Sequence, residues 1–394
     1  MALNIKVVDL FSGAGGLTFG FQKAIYRNRF RDDDSFQIIF ANELNFEASQ
    51  SFKANFPNIK MFNDDIQTID EEFLNDKQVD IHDVDLIIGG PPCQSFSTVG
   101  KRQYDERAKM YKEYRRLLSI IRPKMFIFEN VYGLLTMKDD QNRPVIENVI
   151  ESFENFRDFE DNLGYDIHTE LLNAKDYGVP QSRERVFLVG IRNDLLIKEG
   201  WEFPPQKASK PLSVSDAISD LPKLNNGEEK SFYDSKPNTK YQYLMRDGER
   251  RLTNHKNGTY GLRMLEIMKL LKQGEGKNQI NKLVDEGKAS KELYLTSGYR
   301  NSYGRLWWDK PSSTITNNLS TPSSLRCIHP KQNRALTSRE GARLQSFPDS
   351  FQFYGSKTQV NIQIGNAVPP LLSIALADSV KRFFLNNFDE DRGR

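Results

Sequence analysis

Short runs of β-branched and apolar residues alternate with longer helical stretches over the first 190 residues, and this alternation constrains the fold more than any other feature. The runs are nearly continuous in apolar character, as in strands whose two faces are both covered by helices. They are Ile5–Phe11, Gln37–Asn42, Val84–Gly89, Met125–Asn130, Asp166–Leu172 and Arg185–Ile191. The pattern predicts an α/β fold with a doubly wound, mostly parallel sheet.

Helical periodicity fills several gaps between these runs and returns near the end of the chain. Apolar residues at helical spacing predict helices over Leu17–Tyr26, Ala108–Ile121, Ile146–Leu163, Thr337–Leu344 and Pro370–Phe384. Thr337 is the expected N-cap of the fourth helix, because Glu340 follows three residues later and completes a capping box.

The regular alternation stops near Trp201, where Pro204 and Pro205 begin a polar, irregular stretch rich in Asn, Lys and Tyr. A chain of 394 residues is long for one domain, so two are expected. We predict a first domain over residues 1–200, completed by residues 331–394, and a smaller irregular domain over residues 201–330. The closing segment is too small to form its own core and is expected to pack on the first domain.

The composition argues against several classes of protein. Hydrophobic residues make up 38% of the chain and charged residues 27%, which is typical of a globular protein. No run approaches the roughly 20 apolar residues that span a bilayer, and the amino end lacks the pattern of an export signal. The two cysteines, Cys93 and Cys327, cannot form a disulfide scaffold, and the four histidines lack metal-ligand spacing. We expect a cytoplasmic protein with neither a membrane span nor a metal.

Positive charge is concentrated in two parts of the chain although the net charge is only +2. Residues 223–311 contain 18 Lys and Arg against 11 Asp and Glu, and residues 101–124 contain nine against three. This asymmetry favours a polyphosphate partner, because phosphate neutralisation releases counterions. A solvated, lysine-rich surface explains the charge equally well.

A glycine-rich turn, Asp9–Gly16 (DLFSGAGG), follows the first predicted strand. Glycines there let a ligand approach the backbone and the N–H groups of the following helix. The spacing differs from the G-x-G-x-x-G pattern, which argues against a nicotinamide or flavin enzyme. Glu43, at the end of the second strand, stands where a ribose would be held, and Asp65 with Ile66 could bind an adenine. A nucleoside cofactor is therefore favoured over a plain tight turn.

Cys93 follows the strand Val84–Gly89 in the sequence Gly-Gly-Pro-Pro-Cys-Gln-Ser-Phe. It should therefore lie at the carboxyl edge of the sheet, where open α/β folds bind ligands. Pro91 and Pro92 stiffen the approach to the thiol, and a thiolate is a strong nucleophile. The alternative, a small buried apolar residue, fits poorly with the loop-like surroundings.

Glu129 and the arginine pair Arg183 and Arg185 are the other candidates at this edge. Glu129 ends an apolar strand, where desolvation would raise the carboxyl pKa and suit a proton donor. A carboxylate that caps the following turn is the alternative. In Gln181-Ser182-Arg183-Glu184-Arg185, two arginines whose side chains differ in direction could place one guanidinium in the cleft while the other supports it.

Four motifs in this order resemble those of the DNA (cytosine-5) methyltransferases of prokaryotic restriction–modification systems. They are Pro92-Cys93-Gln94, Glu129-Asn130-Val131, Gln181-x-Arg183-x-Arg185 and Gln363-Ile364-Gly365-Asn366-Ala367-Val368-Pro369. The resemblance covers nearly the whole chain except Lys223–Pro330, which in that family reads the DNA sequence. It implies the Rossmann-like fold of class I S-adenosylmethionine-dependent methyltransferases with a target-recognition domain.

The resemblance also implies a mechanism and a set of site residues. Cys93 would attack C6 of a cytosine, Glu129 would donate to N3, and Arg185, with Arg183 beside it, would contact O2. S-adenosylmethionine would supply the methyl group. Its implied binding residues are Phe11, Gly13, Ala14, Gly16, Glu43, Asp65, Ile66, Pro92, Asn366 and Val368.

Double-stranded DNA is the implied substrate, with its target cytosine flipped out of the stack because a stacked base is out of reach of the thiol. The loop Ser95–Arg107 is expected to act as a lid. The implied DNA-binding residues are Ser95, Lys101, Arg102, Arg300 and Arg305. A cognate restriction endonuclease, a monomeric state and a nucleoid-associated cytoplasmic location are expected from the analogy.

Two other functions stay open at the level of sequence. One is methylation of cytosine in transfer RNA by a relative with the same core, although its Cys-Phe-Thr signature is missing here. The other is a catalytically silent DNA-binding protein, against which Cys93, Glu129 and Arg185 argue.

Overall fold

The structure, a computed structural model, describes residues 3–92, 110–156, 163–207, 210–299 and 301–388. Its strands are β1 Ile5–Leu10, β2 Lys23–Tyr26, β3 Arg29–Asp32, β4 Phe36–Asn42, β5 Lys60–Phe62, β6 Leu86–Gly89, β7 Met125–Val131, β8 Tyr165–Asn173 and β9 Glu184–Arg192. All six predicted strands are confirmed, each within two residues of the expected ends.

Seven of these strands form one sheet in the order β5-β4-β1-β6-β7-β9-β8. The first five of that order are parallel, whereas β9 runs antiparallel to both β7 and β8. The predicted doubly wound, mostly parallel sheet is thereby confirmed. Because β9 is reversed, its amino end lies at the same edge as the carboxyl end of β7, and Arg185 pairs with Val131. We call this the carboxyl edge.

The helices are α1 Gly16–Gln22, α2 Phe46–Asn55, α3 Glu71–Asp76, α4 Met110–Ile121, α5 Gly133–Thr136, α6 Val145–Glu154, α7 Val214–Ile218, α8 Lys240–Arg246, α9 Leu262–Leu270, α10 Lys277–Asp285, α11 Ser338–Leu344, α12 Lys357–Asn366 and α13 Pro370–Asn387. The predicted capping box is present, since the Thr337 hydroxyl accepts from the Glu340 N–H and the Glu340 carboxylate accepts from the Thr337 N–H.

Two predicted helices were wrong in length. The helix predicted over Leu17–Tyr26 ends at Gln22, and its last four residues form β2, which pairs antiparallel with β3. The reason is the turn at Arg27 and Asn28, where φ values of 48° and 59° give the left-handed conformation of a tight two-residue hairpin. Helix α6 ends at Glu154, short of the predicted Leu163.

The hydrophobic cores do not divide where the sequence suggested. Trp201, Tyr241 and Leu252, inside the predicted domain 201–330, belong to the core beneath the sheet. A separate core holds only later residues, namely Ile267, Met268, Leu271, Ile280, Leu293, Leu295, Tyr303 and Ile328. We call the region around this second core the small lobe. The sequence therefore becomes irregular after Trp201, but the hydrophobic core beneath the sheet continues past this residue.

The closing segment packs against the start of the chain. Helix α13 lies on α1 so tightly that a Cβ at Gly20 would overlap the backbone of Ser373, whose hydroxyl donates to the Leu17 carbonyl at 2.6 Å. The stretch Lys357–Asn387 is long and apolar enough to cross a membrane, but 78% of its most apolar window is buried within the fold. Burial of this kind is typical of a core helix.

Candidate active site

The glycine-rich turn after β1 is held from the side by Glu43. Phe11, Gly13 and Gly15 have positive φ values of 56°, 57° and 97°, so the backbone turns sharply around this point. One Glu43 oxygen accepts the Gly13 N–H at 2.9 Å and the other accepts the Asn45 N–H at 2.7 Å. Burial raises the pKa of Glu43, while these two N–H donors act in the opposite direction. The carboxylate keeps lone pairs for a ligand hydroxyl.

The last motif of the chain meets this turn directly. A Cβ on Gly16 would lie 2.5 Å from the Val368 carbonyl oxygen and 3.2 Å from the Ala367 side chain. Only glycine therefore permits this approach. Val368 is buried and its neighbour Asn366 is exposed. The structure thus brings together two motifs separated by some 350 residues in the sequence.

Asp9 is a functional candidate to which the sequence analysis gave no role. It is fully buried at the end of β1, where the Thr18 hydroxyl donates to Oδ2 at 2.5 Å. Burial raises its pKa to about 7, although the Thr18 hydrogen bonds oppose the shift. Its Oδ1 and the Ser12 hydroxyl have no hydrogen-bond partner among the described residues. Two buried, unmatched polar atoms beside an open glycine turn fit a polar nucleoside cofactor.

The predicted adenine residues lie in the next loop along this edge. Ile66 is buried, whereas Asp65 is exposed and caps a short helical turn by accepting the Gln67 N–H at 3.0 Å. The Asn42 amide donates to the carbonyls of Phe62 and Asp64 and fixes the position of the loop.

Glu129 and Arg185 form a close pair at the neighbouring strands. The Arg185 Nε lies 2.9 Å from Glu129 Oε1, and both side chains are nearly buried, at 12% and 10% exposure. Burial raises the pKa of Glu129, with Arg185 and then Arg183 opposing the shift. A Cβ on Gly90 would lie 2.6 Å from Glu129 Oε2, so the carboxyl lies over the start of the Gly-Pro-Pro-Cys loop. Gly90 is thus a second residue that the sequence analysis missed.

The two arginines of the same motif have different positions. Arg183 is 1% exposed and donates to the carbonyls of Ile315 at 3.2 Å and Gly365 at 2.8 Å. Arg185 faces Glu129 instead. Arg183 precedes β9, which begins at Glu184, so the two orientations do not follow from strand alternation, which places residues two apart on the same face.

Several predicted site residues lie outside the described residues, among them the nucleophile. These are Cys93, Ser95, Lys101, Arg102 and Arg300. Pro92, the last described residue before Cys93, is exposed at the carboxyl edge.

Arg305 does not occupy the position expected for a DNA-binding residue. It is 4% exposed, and its guanidinium donates to the carbonyls of Met268, Leu271, His329 and Gln332 and to the side chain of Asn333. Burial lowers its pKa to about 10. Its donors hold the small lobe together, so the prediction of a DNA contact is corrected to a structural role. Sequence alone could not distinguish these two uses of an arginine.

The described residues contain no group of three or more His, Cys, Asp or Glu side chains that could hold a metal ion. His255 and His329 are both buried, with lowered pKa values caused mainly by burial. Cys327 is 2% exposed, and burial raises its pKa to about 12, so it is a poor nucleophile.

Comparison with known proteins identifies one family over most of the chain. The family described as C-5 cytosine-specific DNA methylase matches residues 5–382. The Type II methyltransferase M.DdeI of Desulfomicrobium norvegicum is 36% identical over 97% of this chain and 90% of its own length. Type II methyltransferase M1.HphI of Haemophilus parahaemolyticus is 34% identical over 98% and 88%, respectively.

Solved structures share the same architecture. A crystal structure described as a DNA modification methyltransferase encoded within an E. coli prophage matches with a TM-score of 0.71 and 25% identity, covering 96% of this chain and 99% of that one. The DNMT2 of Spodoptera frugiperda matches with a TM-score of 0.57 over 96% and 99% of the two chains. Because that identity is 18%, the second match supports the fold alone.

Proposed function

Because this chain belongs to the C-5 cytosine-specific DNA methylase family, we propose that Cys93, Glu129 and Arg185 carry out its reaction, with Arg183 in a supporting position. The enzyme transfers a methyl group from S-adenosylmethionine to C5 of cytosine in DNA. The observation that carries the assignment of residues is the buried Glu129–Arg185 pair, which lies over Gly90, three residues before Cys93.

The chemistry needs a nucleophile and a means of neutralising charge on the ring. The Cys93 thiolate adds to C6 of the extruded cytosine, and the electron pair of the C5–C6 bond then makes C5 nucleophilic. Protonated Glu129 donates to N3, which its raised pKa favours, and Arg185 donates to O2. S-adenosylmethionine, when bound, supplies the methyl group that C5 accepts. Loss of the C5 proton to water, cleavage of the C6–S bond and return of the N3 proton to Glu129 regenerate the thiolate and the protonated carboxyl, and the spent methyl donor would leave as S-adenosylhomocysteine.

The predicted cofactor residues gain support from their arrangement. Glu43 is fixed by two backbone donors beside the turn and is suited to accept ribose hydroxyls. Phe11 and Ile66 would contact the adenine, with Asp65 at its edge, and Asn366 and Val368 would line the methionine end. The full set is Phe11, Gly13, Ala14, Gly16, Glu43, Asp65, Ile66, Pro92, Asn366 and Val368.

The setting proposed for the enzyme is a restriction–modification system. The similar proteins M.DdeI and M1.HphI are Type II methyltransferases, which supports protection of host DNA against a cognate endonuclease. The enzyme acts as a monomer in this proposal, because the reaction treats one strand at a time. Its proposed location is the cytoplasm, in association with the nucleoid. The small lobe would read the target sequence, and Ser95, Lys101, Arg102 and Arg300 would bind phosphates.

A methylation assay tests these roles. The protein and its Cys93→Ala variant are incubated with tritiated S-adenosylmethionine and either unmethylated duplex DNA or transfer RNA, and label is then counted in each nucleic acid. Label in DNA that the variant abolishes is the expected result, and bisulfite sequencing of that DNA gives the recognition sequence. Undiminished label with Cys93→Ala would refute the proposed nucleophile, and label in RNA alone would overturn the assignment of the substrate.

A further inference from the structure

Gln181 is a fully buried side chain that joins distant parts of the chain. Its Oε1 accepts the Ile315 N–H at 2.7 Å, and its Nε2 donates to Gln345 Oε1 at 2.8 Å and to the Leu344 carbonyl at 3.1 Å. An amide is needed here because it accepts on one side and donates on the other without carrying a charge. A charged or apolar side chain of similar size would leave buried backbone groups unmatched.

Gln345 extends this connection to the closing motif. It is also fully buried, and its Nε2 donates to the Ile364 carbonyl at 2.6 Å. Arg183 bridges the same two segments in parallel, since it donates to Ile315 and Gly365. Gly365 in turn lies so close to Asn317 that a Cβ would overlap it. We call Gln181, Arg183 and Gln345 the buried hub.

The two segments that meet at the hub lead to different ligand sites. The closing motif continues from Gly365 to Val368, whose carbonyl packs on Gly16 in the cofactor turn. The segment 312–319 instead enters the core beneath the sheet between two stretches of the small lobe. Those stretches pair with each other through Ser302 with Leu325 and Arg305 with Ile328. A movement of the small lobe would therefore displace both ends of the segment 312–319, whose middle is bonded to the hub.

We propose that Gln181 and Gln345 are positioning residues that couple the binding of duplex DNA to the binding of S-adenosylmethionine. DNA bound to the small lobe restricts the position of the segment 312–319. Because the hub bonds this segment to the closing motif, the Gly365–Val368 wall of the cofactor site is restricted as well. By linkage, the cofactor strengthens DNA binding by the same factor. The inference rests on the proposed function in that it takes the small lobe to be the part that contacts DNA.

The test measures coupling rather than activity. The dissociation constant of S-adenosylhomocysteine, which cannot donate a methyl group, is measured by calorimetry. The measurement is made with and without an unmethylated duplex that contains the recognition sequence found by bisulfite sequencing. The variants are Gln181→Met and Gln345→Met, which keep the length of the side chain. Gln242→Met is the matched control, because Gln242 is equally buried and loses bonds to Asn238 and Ser219 but lies in α8, away from the hub.

The wild type and the control are expected to bind S-adenosylhomocysteine at least about fivefold more tightly with DNA, whereas both hub variants show less than about a twofold difference. Coupling that persists in both hub variants, or that Gln242→Met abolishes equally, overturns the inference. A wild type that methylates DNA yet shows no coupling overturns this inference alone, whereas absence of DNA methylation in the wild type contradicts the proposed function.

Discussion

The Glu129–Arg185 pair and a second buried ion cluster both join an arginine to a carboxylate, but they differ in the number of charged and polar partners around the carboxylate. In the second cluster, Arg343 forms ion pairs with Asp220 at 3.0 Å and Asp349 at 2.6 Å, and all three side chains are buried. Tyr233 also donates to Asp349. We call this the closed cluster. It joins α11 to the region after Trp201.

The pKa values of the two clusters shift in opposite directions. Burial opposes ionisation of Asp349, but Arg343 outweighs it and the pKa is lowered. At Glu129 burial dominates over Arg185, and the pKa is raised. A carboxylate with full partners stabilises the fold, whereas one that keeps capacity for a proton and a ligand is suited to chemistry.

Replacing Glu129 by Gln should mainly affect the rate. The amide keeps the shape of the carboxyl but cannot deliver a proton to N3, so kcat should fall about 10²–10⁴-fold. Single-turnover methylation of duplex DNA gives the rate, and thermal unfolding provides the control. If the loss of stability shown by the melting temperature is as large in free energy as the loss of rate, Glu129 has a structural role like that of Asp349 in the closed cluster.

Asp9 should make stability depend on pH. Its folded pKa of about 7 exceeds the ordinary value of 3.8, so the folded state keeps a proton that the unfolded state loses above pH 4. Stability is therefore complete below about pH 4 and falls as pH rises to about 7, by up to about 4 kcal/mol. Urea unfolding of the wild type and Asp9→Asn at several pH values measures this. Parallel curves for the two proteins would exclude the shift.

Replacing Asp349 by Asn should mainly affect stability. It leaves Arg343 buried with reduced neutralisation, which should cost about 3 kcal/mol of unfolding free energy. Denaturant unfolding gives the value, and kcat at a temperature where the variant is folded should stay within about twofold of the wild type. A large loss of kcat in the folded variant would contradict the contrast between the two clusters.

Substituting Gly16 should have the smallest effect on stability and a selective effect on the cofactor. A Cβ at 2.5 Å from the Val368 carbonyl forces the closing motif away, at a cost of about 1–3 kcal/mol. Gly16→Ala should therefore weaken S-adenosylmethionine binding in a calorimetric titration. Gly13→Ala is the comparison, since its Cβ would meet nothing within 4 Å and only the positive φ is strained. Equal weakening in both would show that overlap with Val368 is not the cause.

Local patterns in the sequence were enough to predict the regular elements and the edge at which the motifs meet. The strand positions, the Thr337 capping box and the parallel part of the sheet all follow from apolar periodicity and local hydrogen bonding. The β2–β3 hairpin was missed because its tight turn contains Arg27 and Asn28 without a glycine. A two-residue turn without glycine has only a weak signal in the sequence.

The burial and the hydrogen-bond partners of individual polar side chains could not be predicted from local patterns. Arg305 and Arg185 are the same residue type, yet one is enclosed by carbonyl groups and the other faces a carboxyl at the carboxyl edge. The outcome depends on which distant backbone groups surround the guanidinium, and no local pattern encodes that.

By itself the sequence determined where the six predicted strands lie along the chain, because strand formation depends on residue types at short spacing, and its motifs predicted the reactive groups Cys93, Glu129 and Arg185. The tertiary structure decided that β9 runs antiparallel, that the cores divide well after Trp201, and that Asp9 is buried with one oxygen unmatched. Each of these depends on contacts between residues far apart in the chain, whose free energies are set by packing and desolvation in three dimensions.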